Sequence, residues 1–131
     1  MDEKIKILIV DDNVNDCMIL KKILEAKGYQ IFTAYNHKEA IRLIGDEHPD
    51  LILLDLILNE PMDGVDFYKY IHIAIPDIPV ILVTGHGAEE KDTLIPKAWY
   101  EGVIDEFLRK PVPPEDLIRA IEKHVRRQKD A

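Results

Sequence analysis

Asp11, Asp12 and Asp55 offer carboxylates, Thr84 a hydroxyl and Lys110 an ammonium. Each stands where an apolar run ends. Ile7-Leu-Ile-Val leads into Asp11-Asp12, Leu51-Ile-Leu-Leu into Asp55, Val80-Ile-Leu-Val into Thr84-Gly85, and Phe107-Leu-Arg into Lys110-Pro111. If the first and third runs are neighbouring strands, three carboxylates meet in one pocket. Carboxylates that converge repel one another, so either some take up protons or a cation joins them. An all-oxygen donor set suits a hard ion, above all Mg²⁺, which keeps waters and binds phosphate as well. A hydroxyl and an ammonium at the same edge can receive phosphate oxygens. Phosphoryl transfer asks mainly for an in-line nucleophile and neutralised equatorial charge, and Asp55 can be that nucleophile through an aspartyl phosphate. Taken singly, each residue has an ordinary reading. Asp11 and Asp12 can cap a helix, Asp55 can open a turn, Thr84 can be a strand-end hydroxyl, Lys110 a solvated lysine and Phe107 plain core. Chance explains each one, but not all of them in this order at successive strand ends.

The strands and helices that would carry these groups follow from hydrophobic patterning. Runs such as 51–54, apolar at every position and rich in branched residues, fit strands buried on both faces of a parallel sheet. The spacing predicts strands over about 4–10, 29–34, 51–55, 80–84 and at 107–110. Between them, Leu20, Ile23 and Leu24 mark a helix that Gly28 ends, since glycine tolerates left-handed angles. Asn36 and Glu39 make a capping-box-like pair for the next helix, whose Ala40, Ile41 and Ile44 are expected to face inward. Phe67, Tyr68 and Ile71 mark a helix from about 65 to 74. Pro114, Glu115 and Asp116 suit the start of the last helix, with Leu117, Ile118, Ile121 and Val125 on its inner face. Strands alternating with helices predict an α/β domain, a doubly wound parallel sheet covered on both sides.

At 131 residues, 47% of them hydrophobic, the chain fits one domain (1–131, core about 4–127) with a sizeable core. A formal charge of −8 argues against a general nucleic-acid or anionic-membrane surface. The basic tail at 126–129 is too short to reverse that. No apolar run reaches membrane-spanning length. The start lacks the pattern of a signal peptide. Cys17, the only cysteine, forms no intramolecular disulfide, which fits a cytoplasmic protein. It lies in an expected helix and reads as a buried thiol. The five histidines show no zinc-ligand spacing beyond the weak pair His72 and His86.

The set Asp11-Asp12, Asp55, Met62-Asp-Gly64, Thr84-Gly85 and Lys110-Pro111 resembles the receiver domain of response regulators. The resemblance covers about Lys4 to Arg127. It implies a CheY-like, flavodoxin-like sheet of five parallel strands in the order 2-1-3-4-5. It implies that Asp55 accepts phosphate from a partner histidine kinase or phosphotransfer protein. It further implies Mg²⁺ held by Asp12, Asp55 and the carbonyl of Ile57, with Asp11 assisting. Thr84 and Lys110 would contact the phosphoryl group, and Phe107 takes the aromatic switch position that controls a downstream partner or dimer.

The sequence departs from the common pattern in places. The loop from Asp55 to Met62 is one residue longer, Ile57 is apolar where many relatives are polar, and the stretch from Thr84 to Lys110 is longer and carries Pro96. Proline inside a helix costs about 3 kcal/mol or more but is accepted in a first turn. The expectation is therefore a turn or loop over 88–93. A short helix should then start near Ile95 or Pro96 and reach Glu101 or Gly102, with Trp99 half exposed beside Tyr100 as a partner or dimer contact. Three rivals stand beside this reading. A haloacid-dehalogenase-type phosphatase wants aspartates two residues apart, whereas Asp11 and Asp12 are adjacent and position 13 is asparagine. A phosphate-independent binding module would lack the acceptor or the lysine. A receiver cut from a larger DNA-binding regulator would carry its helix-turn-helix elsewhere.

Overall fold

The computed structural model describes residues 4–55, 64–84 and 106–130. In chain order the elements are β1 (Lys6–Val10), α1 (Val14–Glu25), β2 (Gln30–Ala34), α2 (His37–Glu47), β3 (Leu51–Leu54), α3 (Gly64–Ala74), β4 (Val80–Thr84), β5 (Glu106–Arg109) and α4 (Pro114–Asp130). The strands form one sheet in the order β2-β1-β3-β4-β5, and every neighbouring pair is parallel. This is the expected fold and strand order.

Successive strand residues point to opposite faces, and the side chains divide accordingly into two cores. Leu8, Val10, Ile52, Leu54, Val80 and Leu82 pack with Ala40 of α2 and with Phe67 and Ile71 of α3. Ile7, Ile9, Leu51, Leu53, Ile81 and Val83 pack with Cys17 and Leu24 of α1 and with Leu117, Ile121 and Val125 of α4. Both faces of β1 and β3 are therefore dry, which is why their sequences are apolar at every position instead of alternating. On α4 the buried His124 also reaches β5, its Nε2 lying 3.0 Å from Glu106 Oε1.

Local chemistry sets the helix ends. Asn13 caps α1, its side chain accepting from the Asp16 N–H at 2.9 Å. The cap is thus Asn13 and neither Asp11 nor Asp12. Asn36 caps α2 by accepting from Glu39 N–H at 2.8 Å, and Glu39 reaches back to the Tyr35 N–H, one residue before the cap, at 2.8 Å. Gly28 follows α1 with φ +94, a backbone that L-residues rarely adopt. The last turn of α2 closes on His48 in the left-handed region.

One inward expectation fails. Ile41 is 40% exposed, whereas Ala40 is buried and Ile44 packs against the core. Ala40 and Ile44 are four apart and share a face, and Ile41 lies about 100° round the helix from Ala40, at the margin of that face.

Candidate functional site

Parallel pairing aligns the ends of β1 and β3. Val10 sits beside Leu54, so the next residues of the two strands, Asp11 and Asp55, emerge side by side. The strand order reverses direction here, with β2 on one side of β1 and β3 on the other. In open α/β sheets the crevice beyond such strand ends is where ligands bind. The backbone is tied down through the acidic residues themselves: Asp11 N–H donates to Ala34 O at 3.0 Å and Asp55 N–H to Val10 O at 2.9 Å.

Asp11 and Asp55 are buried, at 2% and 7% exposure, and Asp12 is exposed. One carboxylate oxygen from each of the three lies within 4.8 Å of the others. Among the described residues no histidine or cysteine joins this group. The donor chemistry is therefore all oxygen, which fits a hard cation such as Mg²⁺.

Lys110 follows directly on β5 and reaches into the same pocket. Its Nζ donates to Asp11 Oδ2 at 2.6 Å, to Asp16 Oδ2 at 2.9 Å and to Asp55 Oδ2 at 3.1 Å. Burial alone would lower the pKa of this ammonium. The hydrogen bonds to Asp11 and Asp16 and the charge of Asp55 outweigh burial and raise the pKa above its ordinary value. Lys110 therefore stays charged at neutral pH. Asp11 is held further by its neighbours: Oδ1 accepts from Asn13 N–H at 2.9 Å, and its carbonyl accepts from Cys17 Sγ at 3.3 Å. Burial, and then the charge of Asp11, push the Cys17 thiol up to about 12. Cys17 is thus buried, as the sequence suggested, and its thiol stays protonated at neutral pH.

The structure brings together Asp11, Asp12, Asp55 and Lys110 from the sequence-based set. Ile57, the Met62-Asp63 turn and the segment with Pro96, Trp99 and Tyr100 lie outside the described residues, as do the side chains of Thr84 and Phe107. Asp16 is the member that sequence reading missed. Its signal was weak: an acid one helical turn beyond Asp12, at a position where acids ordinarily serve the helix terminus.

Comparison with known proteins agrees with this geometry. The family model described as the response regulator receiver domain matches residues 7–122. Sporulation initiation phosphotransferase F of Bacillus subtilis (strain 168) is 33% identical over 120 residues, which cover 92% of this chain and 93% of that protein. The transcriptional regulatory protein ZraR of Salmonella typhimurium is 35% identical over 120 residues. The chain spans about a quarter of that relative's length. Among solved structures, a CheY-like response regulator receiver domain protein from Methanospirillum hungatei JF-1 superposes with a TM-score of 0.85 at 30% identity, covering 98% of each chain. With the sheet order, the acidic pocket and the lysine all in agreement, this chain belongs to the response regulator receiver domain family of two-component signalling systems.

Proposed function

We propose that Asp55 is the phosphoacceptor of this receiver domain. The observation that carries the reading is the meeting of Asp55, two further carboxylates and the Lys110 ammonium at one strand edge. In the transfer, a carboxylate oxygen of Asp55 attacks phosphorus in line with the P–N bond of a donor phosphohistidine. The new O–P bond forms, the P–N bond breaks, and its electron pair stays on the imidazole nitrogen. Lys110 faces the oxygens on which charge builds, and its raised pKa keeps it cationic through the step. Water later attacks phosphorus, the Asp55 O–P bond breaks with its electron pair returning to the carboxylate, and inorganic phosphate leaves. Asp11, Asp12 and Asp55, with the Ile57 carbonyl that the family resemblance implies, would hold Mg²⁺. Such an ion would supply neutralisation of the charge that builds on the phosphoryl oxygens. Thr84 would bond a phosphoryl oxygen, and Phe107 would follow it as the switch.

The donor is read as a histidine kinase or phosphotransfer protein, in the cytoplasm. A cavity of about 440 Å³ opens beside the pocket, lined by Asp16, Ile19, Leu20, Ile23, Lys110 and Val112 among others. Val14, Met18 and Ile19 are exposed on the same helix. This apolar surface suits a protein donor that must bring its phosphohistidine to Asp55. The output is a downstream protein or a second receiver. The quarter-length match to transcriptional regulators also fits a receiver belonging to a longer regulator.

Incubation with acetyl phosphate and Mg²⁺ followed by intact-mass measurement tests the reading. One phosphoryl group is expected on the wild-type protein, and none on Asp55→Asn. Equal labelling of both would overturn it. Asp12→Ala should weaken Mg²⁺ binding, read by titration.

A further inference from the structure

An ammonium has three N–H donors, and Lys110 gives all three to carboxylates. Two of the acceptors have other duties. Asp55 is the proposed nucleophile, and Asp11 belongs with Asp12 and Asp55 to the cation-type cluster. Any oxygen they commit to a cation or a phosphoryl group is a poorer acceptor for the lysine. Asp16 stands apart from them. It lies outside the three-carboxylate group, and it sits on α1 instead of at a strand end. Its backbone is fixed by the Asn13 cap, and its side chain is 37% exposed.

We propose that Asp16 is a positioning residue for Lys110: from the first turn of α1 it anchors the ammonium at the rim of the acceptor pocket, whatever Asp11 and Asp55 are bound to. The lysine then meets the phosphoryl group from a fixed pose. The gain is one of preorganisation, since a charge already in place needs no rearrangement as the transferred group arrives. This rests on Asp55 being the acceptor.

A simpler role for Asp16 also exists: an acid in a first helical turn favours the helix by itself. The two roles separate in a double-mutant cycle. Asp16→Asn should slow labelling by acetyl phosphate on the order of tenfold at saturating Mg²⁺, with Asp16→Glu recovering part of the rate. In a Lys110→Ala background, Asp16→Asn should slow it no further. Additive effects of the two substitutions, or a wild-type rate in Asp16→Asn, would overturn the proposal.

A second measurement needs no phosphodonor. The two Cε protons of Lys110 should give distinct NMR signals in the wild type, both before and after Mg²⁺ is added. They should merge on Mg²⁺ addition in Asp16→Asn. Merged signals in wild type with Mg²⁺, or distinct signals in Asp16→Asn, would refute the anchoring role. If the wild type takes up no phosphoryl group, the acceptor reading fails while these signals still decide the role of Asp16.

Discussion

The two ends of the sheet both carry charge and use it differently. At the amino ends of the strands, Lys6 Nζ lies 3.8 Å from Glu47 Oε1 with both side chains more than a third exposed. Lys6 also donates to the Glu47 carbonyl at 3.0 Å, and its N–H donates to Asp50 Oδ2 at 2.8 Å. These contacts bind chain segments together across solvated ground. At the carboxyl ends the Asp11 and Asp55 side chains are only 3% and 9% exposed, and the lysine between them 21%. The same residue types are close to neutralised by water at one end and forced on one another at the other. Dense desolvated charge costs stability, and it is the condition under which a carboxylate and an ammonium act on a phosphoryl group with full strength.

Substitutions placed in pairs, one at each end of the sheet, test this difference. The largest contrast is in labelling: Asp55→Asn should remove the phosphoryl mass shift entirely, while Asp50→Asn should label as the wild type does. Next is stability. Lys110→Ala leaves the buried Asp11 without its strongest partner. It should lower the unfolding free energy by about 1–3 kcal/mol, below the cost for a wholly buried pair because the lysine is part exposed. Lys6→Ala should stay within about 1 kcal/mol. Urea unfolding reads both, and equal losses would dissolve the distinction. Asn13→Ala removes the cap under the acidic pocket and should cost about 1 kcal/mol, visible in the same unfolding curves.

The smallest contrast concerns pH. The Cys17 pKa is raised from 9.0 to about 12 in the folded protein. Below pH 9 the thiol is protonated in both states and contributes no pH dependence. Between about 9 and 12 the unfolded chain loses the proton and the folded one keeps it, so stability falls as pH rises. Cys17→Ala should show a shallower fall in melting temperature over that window. Parallel curves for the two proteins would remove Cys17 from the account.

Much of this was legible in the residues, for physical reasons that differ between elements. Strands buried on both faces leave an unbroken apolar run, so β1, β3 and β4 stand out and the polar residues at their ends mark the edge. The convergence of Asp11, Asp12, Asp55 and Lys110 then needed only the strand order. Ile41 departs from expectation because an apolar residue at the margin of a helical face looks the same in sequence as one at its centre. Asp16 carries no such signal because its partner is 94 residues away. No local spacing distinguishes an acid that serves a helix terminus from one that also holds a distant lysine.

The hydrogen bonds from the amides of Asp11 and Asp55 to Ala34 and Val10 make these residues the last rungs of the sheet ladder. In mechanical terms the proposed acceptor is riveted to the hydrogen-bonded ladder of the sheet, a region where opening approaches global unfolding in cost. A charge change there finds little give in the backbone beneath it. What yields must be the side chains at the rim, so the sheet works as an anvil beneath them.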